Sequence, residues 1–422
     1  MADSAFRRRA LPEAERRLAA ARIVVVNGPR QAGKSWLLRR LAEAHLGLYL
    51  SLDEAANLRG ARTDSAGFVV RDAGRPMLID EVQRGGEQLV LAIKAAADAS
   101  DERGQYVLAG STRFLTEPRL SESLAGRARF VDLWPLSQGE IDGHDDGDRF
   151  LAAAVVGYEA IAELGARAEA LDRAAVFARV TRGGFPEAVR ATERDRTDFF
   201  ADYVRTVSQR DITELGRITD RVDLPAVLRL LAARSAGELN MTDLANDAGL
   251  GRDTARRYLP LVEAIFLVVR LPGWSPKLVG ATRIRPKIHL TDPGLAAWLC
   301  RVTSTDLARP GHPMDGALLE SFVVGELLRQ QTWTPGPVWL GHWREPAGRE
   351  VDIVVDCGPR HVVGVEVKAA VDVSERDFRH LAHLRDRLGD RFACGVVLHC
   401  GTRLRRFGDR MLALPVSALW QP

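Results

Sequence analysis

The sequence predicts a multidomain α/β fold, and three observations carry that expectation. Short apolar runs at residues 22–27, 48–52, 76–79, 105–109 and 130–133 alternate with helical stretches, as in a parallel sheet covered by helices. The first run leads through a glycine-bounded loop into a helical stretch. A second set of strand-like runs, at residues 350–356 and 361–368, follows a long helical middle. A chain of 422 residues is too long for one ordinary core, so about two to four domains are expected.

The loop reads Gly28-Pro29-Arg30-Gln31-Ala32-Gly33-Lys34-Ser35 and fits G-x-x-x-x-G-K-[ST]. Lying between Ile23-Val24-Val25-Val26 and the helical Trp36-Leu37-Leu38, it has the setting of a phosphate cradle. Glycines let backbone N–H groups converge on phosphate oxygens, and the helix dipole favours the anion. Lys34 would reach the β/γ oxygens of ATP, and Ser35 would hold Mg²⁺. Lysine usage sharpens this reading, because only five of the 59 basic residues are lysine: Lys34, Lys94, Lys277, Lys287 and Lys368. A guanidinium is a rigid fork, whereas an ammonium is a point charge suited to one phosphate or one water. Lys34 and Lys368 fall inside the two strongest motifs; nothing in the sequence separates the other three from chance.

Met77-Leu78-Ile79-Asp80-Glu81 is an apolar strand ending in two acids. Asp80 would hold Mg²⁺ and Glu81 would orient and activate the attacking water. The run 106–109 ends in Gly110-Ser111-Thr112, which makes Ser111 or Thr112 a candidate sensor of the γ-phosphate. In Leu124-Ala125-Gly126-Arg127, Arg127 is a candidate cation for transition-state charge, in its own subunit or a neighbour's, and the second case implies a homo-oligomer.

The ordered set of the loop, Leu50-Ser51-Leu52-Asp53, Leu78-Ile79-Asp80-Glu81-Val82-Gln83, Leu108-Ala109-Gly110-Ser111, Leu124-Ala125-Gly126-Arg127 and Leu136-Ser137-Gln138-Gly139-Glu140 resembles prokaryotic AAA-type ATPases whose ATPase domain is joined to a C-terminal DUF4143 domain. Gly183-Gly184-Phe185-Pro186-Glu187, Lys287-Ile288-His289-Leu290-Thr291-Asp292-Pro293-Gly294-Leu295, Trp343-Arg344-Glu345 and Glu366-Val367-Lys368 extend the resemblance over nearly the whole chain. It implies a P-loop ATPase core at residues 1–140, ATP binding and hydrolysis. The remaining organisation is expected to be a helical lid at 141–225, a winged-helix-like segment at 226–280 and the C-terminal domain at 281–422.

In the middle, residues 241–250 and 251–259 have the pattern of a helix-turn-helix. Thr242 would cap its first helix, the Gly249 region gives the turn, and Asp253 or Thr254 opens the second helix. Arg252, Arg256 and Arg257 on the second helix would face DNA, or the module would serve interdomain packing.

Further on, residues 350–356 and 361–368 form a hairpin across Cys357-Gly358-Pro359-Arg360, with Glu366 and Lys368 on one face. Asp352 joins them, and Glu320 leans in from an amphipathic helix around residues 318–328. Carboxylates beside a lysine suit metal-dependent phosphodiester cleavage, with Asp352 and Glu366 on Mg²⁺ and Lys368 steadying charge. Asp352, Glu366, Lys368 and Glu320 match motif positions of the PD-(D/E)XK nuclease fold, to which the DUF4143 domain is similar; the proline usual before the aspartate is replaced in Glu350-Val351-Asp352. A salt-bridged surface hairpin, or a nuclease fold that binds without cutting, are the alternatives.

Net charge of +3 permits DNA binding without arguing for it. Cysteines 300, 357, 394 and 400 lack zinc spacing and suit a reducing cytoplasm, and no apolar run is long enough to span a membrane. For the whole chain the leading expectation is an ATP-regulated DNA-processing enzyme. Its rival is a nucleotide-controlled scaffold with a silent C-terminal domain; a small-molecule kinase is disfavoured by the Asp80-Glu81 pair.

Overall fold

The computed structural model describes residues 6–111, 124–211, 223–277, 281, 284–358 and 361–421. A five-stranded, all-parallel sheet forms the first unit, from β1 (Ile23–Asn27), β2 (Leu48–Ser51), β3 (Met77–Asp80), β4 (Tyr106–Gly110) and β5 (Ala128–Asp132), in the order β2-β3-β4-β1-β5. Strands β1, β3 and β4 are buried throughout, which is why they read as unbroken apolar runs; edge strand β5 exposes Arg129 and Phe130. Alternate β1 side chains serve opposite faces. Val24 and Val26 pack with Leu37, Leu38 and Leu41 of helix Lys34–His45, and Ile23 and Val25 with Leu89 and Ile93 of helix Gly86–Asp98. Because every strand runs the same way, the segments leaving β1, β3 and β4 emerge along one edge of the sheet.

The rest of the chain shares a second apolar core, running from Phe150 and Phe177 through Phe322 to Trp420. It is continuous across the boundary expected near residue 225. The boundary expected at 280 falls inside a hairpin, since β6 (Val268–Leu271) pairs antiparallel with β7 (Lys287–Leu290). The two expected helices are present as Met241–Asp247 and Arg252–Ala264, with Gly249 at φ +62° between them. The cap of the first is Asn240, not Thr242: the helix starts at Met241, and the Asn240 side chain accepts from the Thr242 amide at 3.0 Å. Residues 112 and 212–214 lie outside the described residues.

The C-terminal part is a mixed six-stranded sheet, ordered β12-β13-β11-β10-β9-β8. Its strands are β8 (Trp339–Arg344), β9 (Glu350–Asp356), β10 (Val362–Lys368), β11 (Phe392–His399), β12 (Arg405–Arg406) and β13 (Met411–Pro415). Helix Arg379–Leu388 packs on one face through Leu381 and Leu384, and helix Asp315–Trp333 lies on the core side with Phe322 and Val323. The long helix is not amphipathic as expected. It is buried on every side from Leu318 to Leu327, because the sheet, the middle helices and the first unit surround it. Its polar residues tie these parts together. Arg329 Nε donates to Pro135 O at 2.8 Å and Thr332 Oγ1 to Asp132 O at 3.0 Å. Glu326 accepts from the Gln138 amide at 3.0 Å, while Gln330 accepts from the Leu151 amide and donates to Leu419 O.

The acidic stretch 142–148 is no free linker, since Asp148 is buried and accepts from Ser137 Oγ and the Gly139 amide. Gly183 and Gly184 lie where three segments meet. A Cβ on Gly184 would sit 2.4 Å from the Leu136 carbonyl oxygen, and one on Gly183 2.3 Å from an Asp292 carboxylate oxygen. Gly184→Ala is therefore expected to cost about 1–3 kcal/mol by overpacking backbone against backbone. A lowered denaturant midpoint at unchanged slope checks this.

Candidate functional site

Three of the sequence-selected segments meet at the carboxyl edge of the first sheet. The loop after β1 needs its glycines: a Cβ on Gly28 would lie 2.1 Å from Leu133 O, and Gly33 caps helix Lys34–His45 in the left-handed region at φ +97°. That conformation opens the helix so that its first-turn N–H groups, at Lys34 and Ser35, face the loop. Lys34 is buried, and its Nζ donates to Gly28 O at 2.9 Å and Pro29 O at 2.8 Å. Arg8 braces the loop from outside the motif, donating to Ala32 O and to Trp134 O at 2.6 Å while paired with Glu140 at 3.1 Å.

The acid pair faces this loop. Asp80 is buried, accepting from Tyr49 Oη at 2.9 Å and from the Glu81 amide at 3.0 Å, so each oxygen keeps a lone pair in a fixed direction. Burial and the Asp80 charge push the Tyr49 hydroxyl up to about 12, which keeps it a donor. Glu81 adopts φ +55°, unusual for a non-glycine residue, and this turn carries its side chain to the cavity. Burial raises the Glu81 carboxyl above its ordinary value, partly offset by the Lys34 ammonium and a hydrogen bond from Gln83. Gln83 Nε2 donates both to Glu81 and, at 3.3 Å, to the buried Ser111 hydroxyl. Ser111 thus reaches Glu81 through Gln83.

A cavity of about 510 Å³ is lined by Arg30, Gln31, Gly33, Lys34, Ser35 and Glu81, and closed by Pro186, Glu187 and Arg190 of the short helix Pro186–Arg190. A second one of about 220 Å³ adjoins it through Gly33, Pro186 and Arg190, with Phe6, Trp36 and Leu136 as apolar walls. Sequence reasoning missed Arg8, Tyr49, Arg190, Phe6 and Trp36. Only Gly183-Gly184-Phe185-Pro186-Glu187 hinted that the middle of the chain returns to the loop. For Arg127 the reading within its own subunit is corrected: it precedes β5 at the sheet's amino edge, its carbonyl accepting from the Ile23 amide and its guanidinium bonded to Asp98 at 2.9 Å. A five-residue strand, roughly 17 Å long, separates that edge from the loop.

The C-terminal candidates also converge. Strands β9 and β10 pair antiparallel as expected, and Asp352 Oδ2 accepts from the Val367 amide at 2.9 Å. Lys368 Nζ donates to Glu366 at 2.6 Å. The unexpected member is Lys287, whose Nζ lies 2.8 Å from Glu320, 2.7 Å from Glu350 and 3.4 Å from Asp352. Burial works against the Lys287 charge, but these carboxylates outweigh it and hold the ammonium protonated far above an ordinary lysine. Burial, then the neighbouring Asp352 charge, raises Glu320 well above a normal carboxyl and Glu366 to about 8. The Lys287 and Glu320 shifts favour opposite charge states for one pair. The direction that stands is a charged Lys287 among these carboxyls, while burial pushes the Glu320 and Glu366 carboxyls up.

Residues 20–142 match the family model of an AAA domain. The chain carries an AAA domain. Two domains of unknown function follow it, DUF8612 over residues 173–306 and DUF4143 over 315–419. The AAA domain thus contains the loop, Asp80, Glu81 and Ser111, whereas Arg190 and its helix come from the next matched region. Uncharacterized proteins of Mycobacterium bovis and Mycobacterium tuberculosis are each 26% identical over 363 residues, covering 86% of this chain and 74% of theirs. One from Haemophilus influenzae is 23% identical over 275 residues, 60% of this chain and 62% of its own. Among solved structures, the Thermotoga maritima RuvB Holliday junction branch migration motor aligns at 18% identity and TM-score 0.29, over 62% of this chain and 89% of that one. C. elegans PCH-2 aligns at 14% identity and TM-score 0.22, over 59% and 65%. At these scores the domain match and the strand order carry the assignment. Among the described residues, no helix is long and apolar enough to cross a membrane.

Removing Arg8 would leave Glu140 buried without its ionic partner and the Ala32 carbonyl without a donor. Arg8→Ala is expected to cost about 3 kcal/mol, read as a lowered melting temperature, with Arg8→Lys recovering part of the loss.

Proposed function

We propose that this chain binds ATP in the cavity between its AAA domain and helix Pro186–Arg190 and hydrolyses it to ADP and phosphate. The observation that carries this reading is the lining of one cavity by Lys34, Ser35 and Glu81 beneath a glycine-shaped loop. Backbone N–H groups of residues 30–35 and the Lys34 ammonium would hold the β- and γ-phosphates. The donors present fit a divalent ion there, with the Ser35 hydroxyl and the oriented Asp80 carboxylate as its holders. Mg²⁺ so held would screen phosphate charge. Glu81, with its raised proton affinity, takes the proton from water, and Gln83 fixes its direction relative to Ser111. The smaller cavity, walled by Phe6, Trp36 and Leu136, suits the flat apolar base. Glu81→Gln is expected to keep nucleotide binding and lower turnover by about 10²–10⁴-fold. Lys34→Ala should weaken both; wild-type affinity and phosphate release in Lys34→Ala would sink the assignment.

The segment 226–280 is read as winged-helix-like, with exposed Arg252 and Arg256 available to DNA phosphates. One feature limits it: the connection between β6 and β7 is stitched to the C-terminal sheet. Trp274 N donates to His342 O at 2.7 Å, the His342 amide to Pro272 O at 2.9 Å, and Trp274 Nε1 to Asp356 at 2.8 Å. DNA contact is therefore assigned to helix Arg252–Ala264 alone. Arg252→Ala with Arg256→Ala should lower the slope of log affinity against log salt by about 0.9 per lost phosphate contact; an unchanged slope assigns the module to packing. The PD-(D/E)XK-like reading of the C-terminal cluster stands on the convergence of Glu320, Asp352, Glu366 and Lys368. Lys287 favours the silent, binding-only version of it.

A further inference from the structure

We infer that the Lys287 ammonium is the resident cation of the C-terminal carboxylate cluster, standing where a divalent metal ion would otherwise be held. The inference rests on the nuclease-like reading of that cluster and concerns what occupies it. Glu320, Glu350 and Asp352 each present an oxygen to the one nitrogen, at 2.8, 2.7 and 3.4 Å. Two of these contacts, to Glu320 and Asp352, are hydrogen bonds, and Glu350 completes the set as an ion pair. Magnesium demands oxygens at about 2.0–2.1 Å and calcium at about 2.3–2.6 Å. For magnesium at that centre the three oxygens would have to draw in by about 0.6 to 1.3 Å, and the nitrogen would have to leave. Among the described residues, no group of three or more His, Cys, Asp or Glu side chains is disposed to hold a metal. A divalent ion centred among Glu320, Glu350 and Asp352 does not fit the cluster as arranged.

Departure of the nitrogen is opposed by the backbone. Lys287 pairs with Leu271 of β6 on one side and bridges Glu238 on the other. The flanking Ile288 amide donates to Gly237 O at 3.0 Å, and the Leu239 amide to Pro286 O at 2.9 Å. With its side chain 3% exposed, Lys287 is a wall of the site, unlike a surface lysine that swings aside. Lys368, 33% exposed, stays beside Glu366 at the open side, where an anion could still approach. The C-terminal domain is then a pre-neutralised surface for a phosphate backbone that lacks the metal needed to cut it.

The test is Mn²⁺ binding to the full chain without nucleotide, followed by electron paramagnetic resonance, in wild type, Asp352→Asn, Lys287→Met and Lys287→Met/Asp352→Asn. Expected is no Asp352-dependent site in wild type, and in Lys287→Met a saturable site that Asp352→Asn removes. An Asp352-dependent site in the wild type overturns the inference and leaves the nuclease-like reading standing. A folded Lys287→Met without a site overturns both, since the carboxylates are then no cation site at all. If Lys287→Met does not fold, wild type against Asp352→Asn decides alone: a site sensitive to that change refutes the inference, and none supports it.

Discussion

The arrangement depends on one helix, Asp315–Trp333, that is surrounded by protein and still carries charged and amide side chains. Burying Glu326, Arg329 and Gln330 would be costly in the absence of partners, and each finds one outside the helix. Rotating or sliding the helix by one residue would strand all three at once. Its register is therefore fixed by polar satisfaction more than by apolar packing, which tolerates slippage better. The same register delivers Glu320 to Lys287 and Thr332 to the end of β5. One element thus positions the carboxylate cluster and anchors the edge of the nucleotide-binding sheet.

Around that axis, arginine works as a structural rivet. Arg8 joins three segments, and Arg173 reaches the carbonyls of Leu307 and Ala308 together with Asp315. A planar fork with five donors suits this crosslinking of backbone carbonyls better than an ammonium does. Lysine appears where a single charge must sit among several oxygens, as at Lys34 and Lys287.

Legibility in the sequence followed the range of the interaction. The five parallel strands were readable because a doubly covered sheet imposes unbroken apolar runs, and their ends shifted by only one or two residues. Gly28, Lys34, Asp80 and Glu81 were readable because local geometry demands those residue types at that spacing. Lys287 and Arg190 were not, since their roles exist only after residues far along the chain meet. The rarity of lysine marked Lys287 yet gave no partner for it. Arg127 was misplaced relative to its own subunit's loop for the opposite reason: a suggestive tetrapeptide said nothing about which edge of the sheet it would occupy. The helix at 318–328 misled as well, because burial from every direction erases the polar face that amphipathicity presumes.

The short path between the two sites has a mechanical consequence. Strand β7 begins at Lys287, and just past its other end Asp292 accepts the Gly184 amide at 2.7 Å, while Gly184 O accepts the Leu136 amide at 2.7 Å. Two residues beyond Gly184 starts the helix that closes the cavity lined by Lys34, Ser35 and Glu81. No flexible tether lies in that line: it is strand, buried carboxylate and glycine backbone in van der Waals contact. Cavity wall and lysine therefore behave as the two ends of a strut, and a shift at either end is carried as strain along its length.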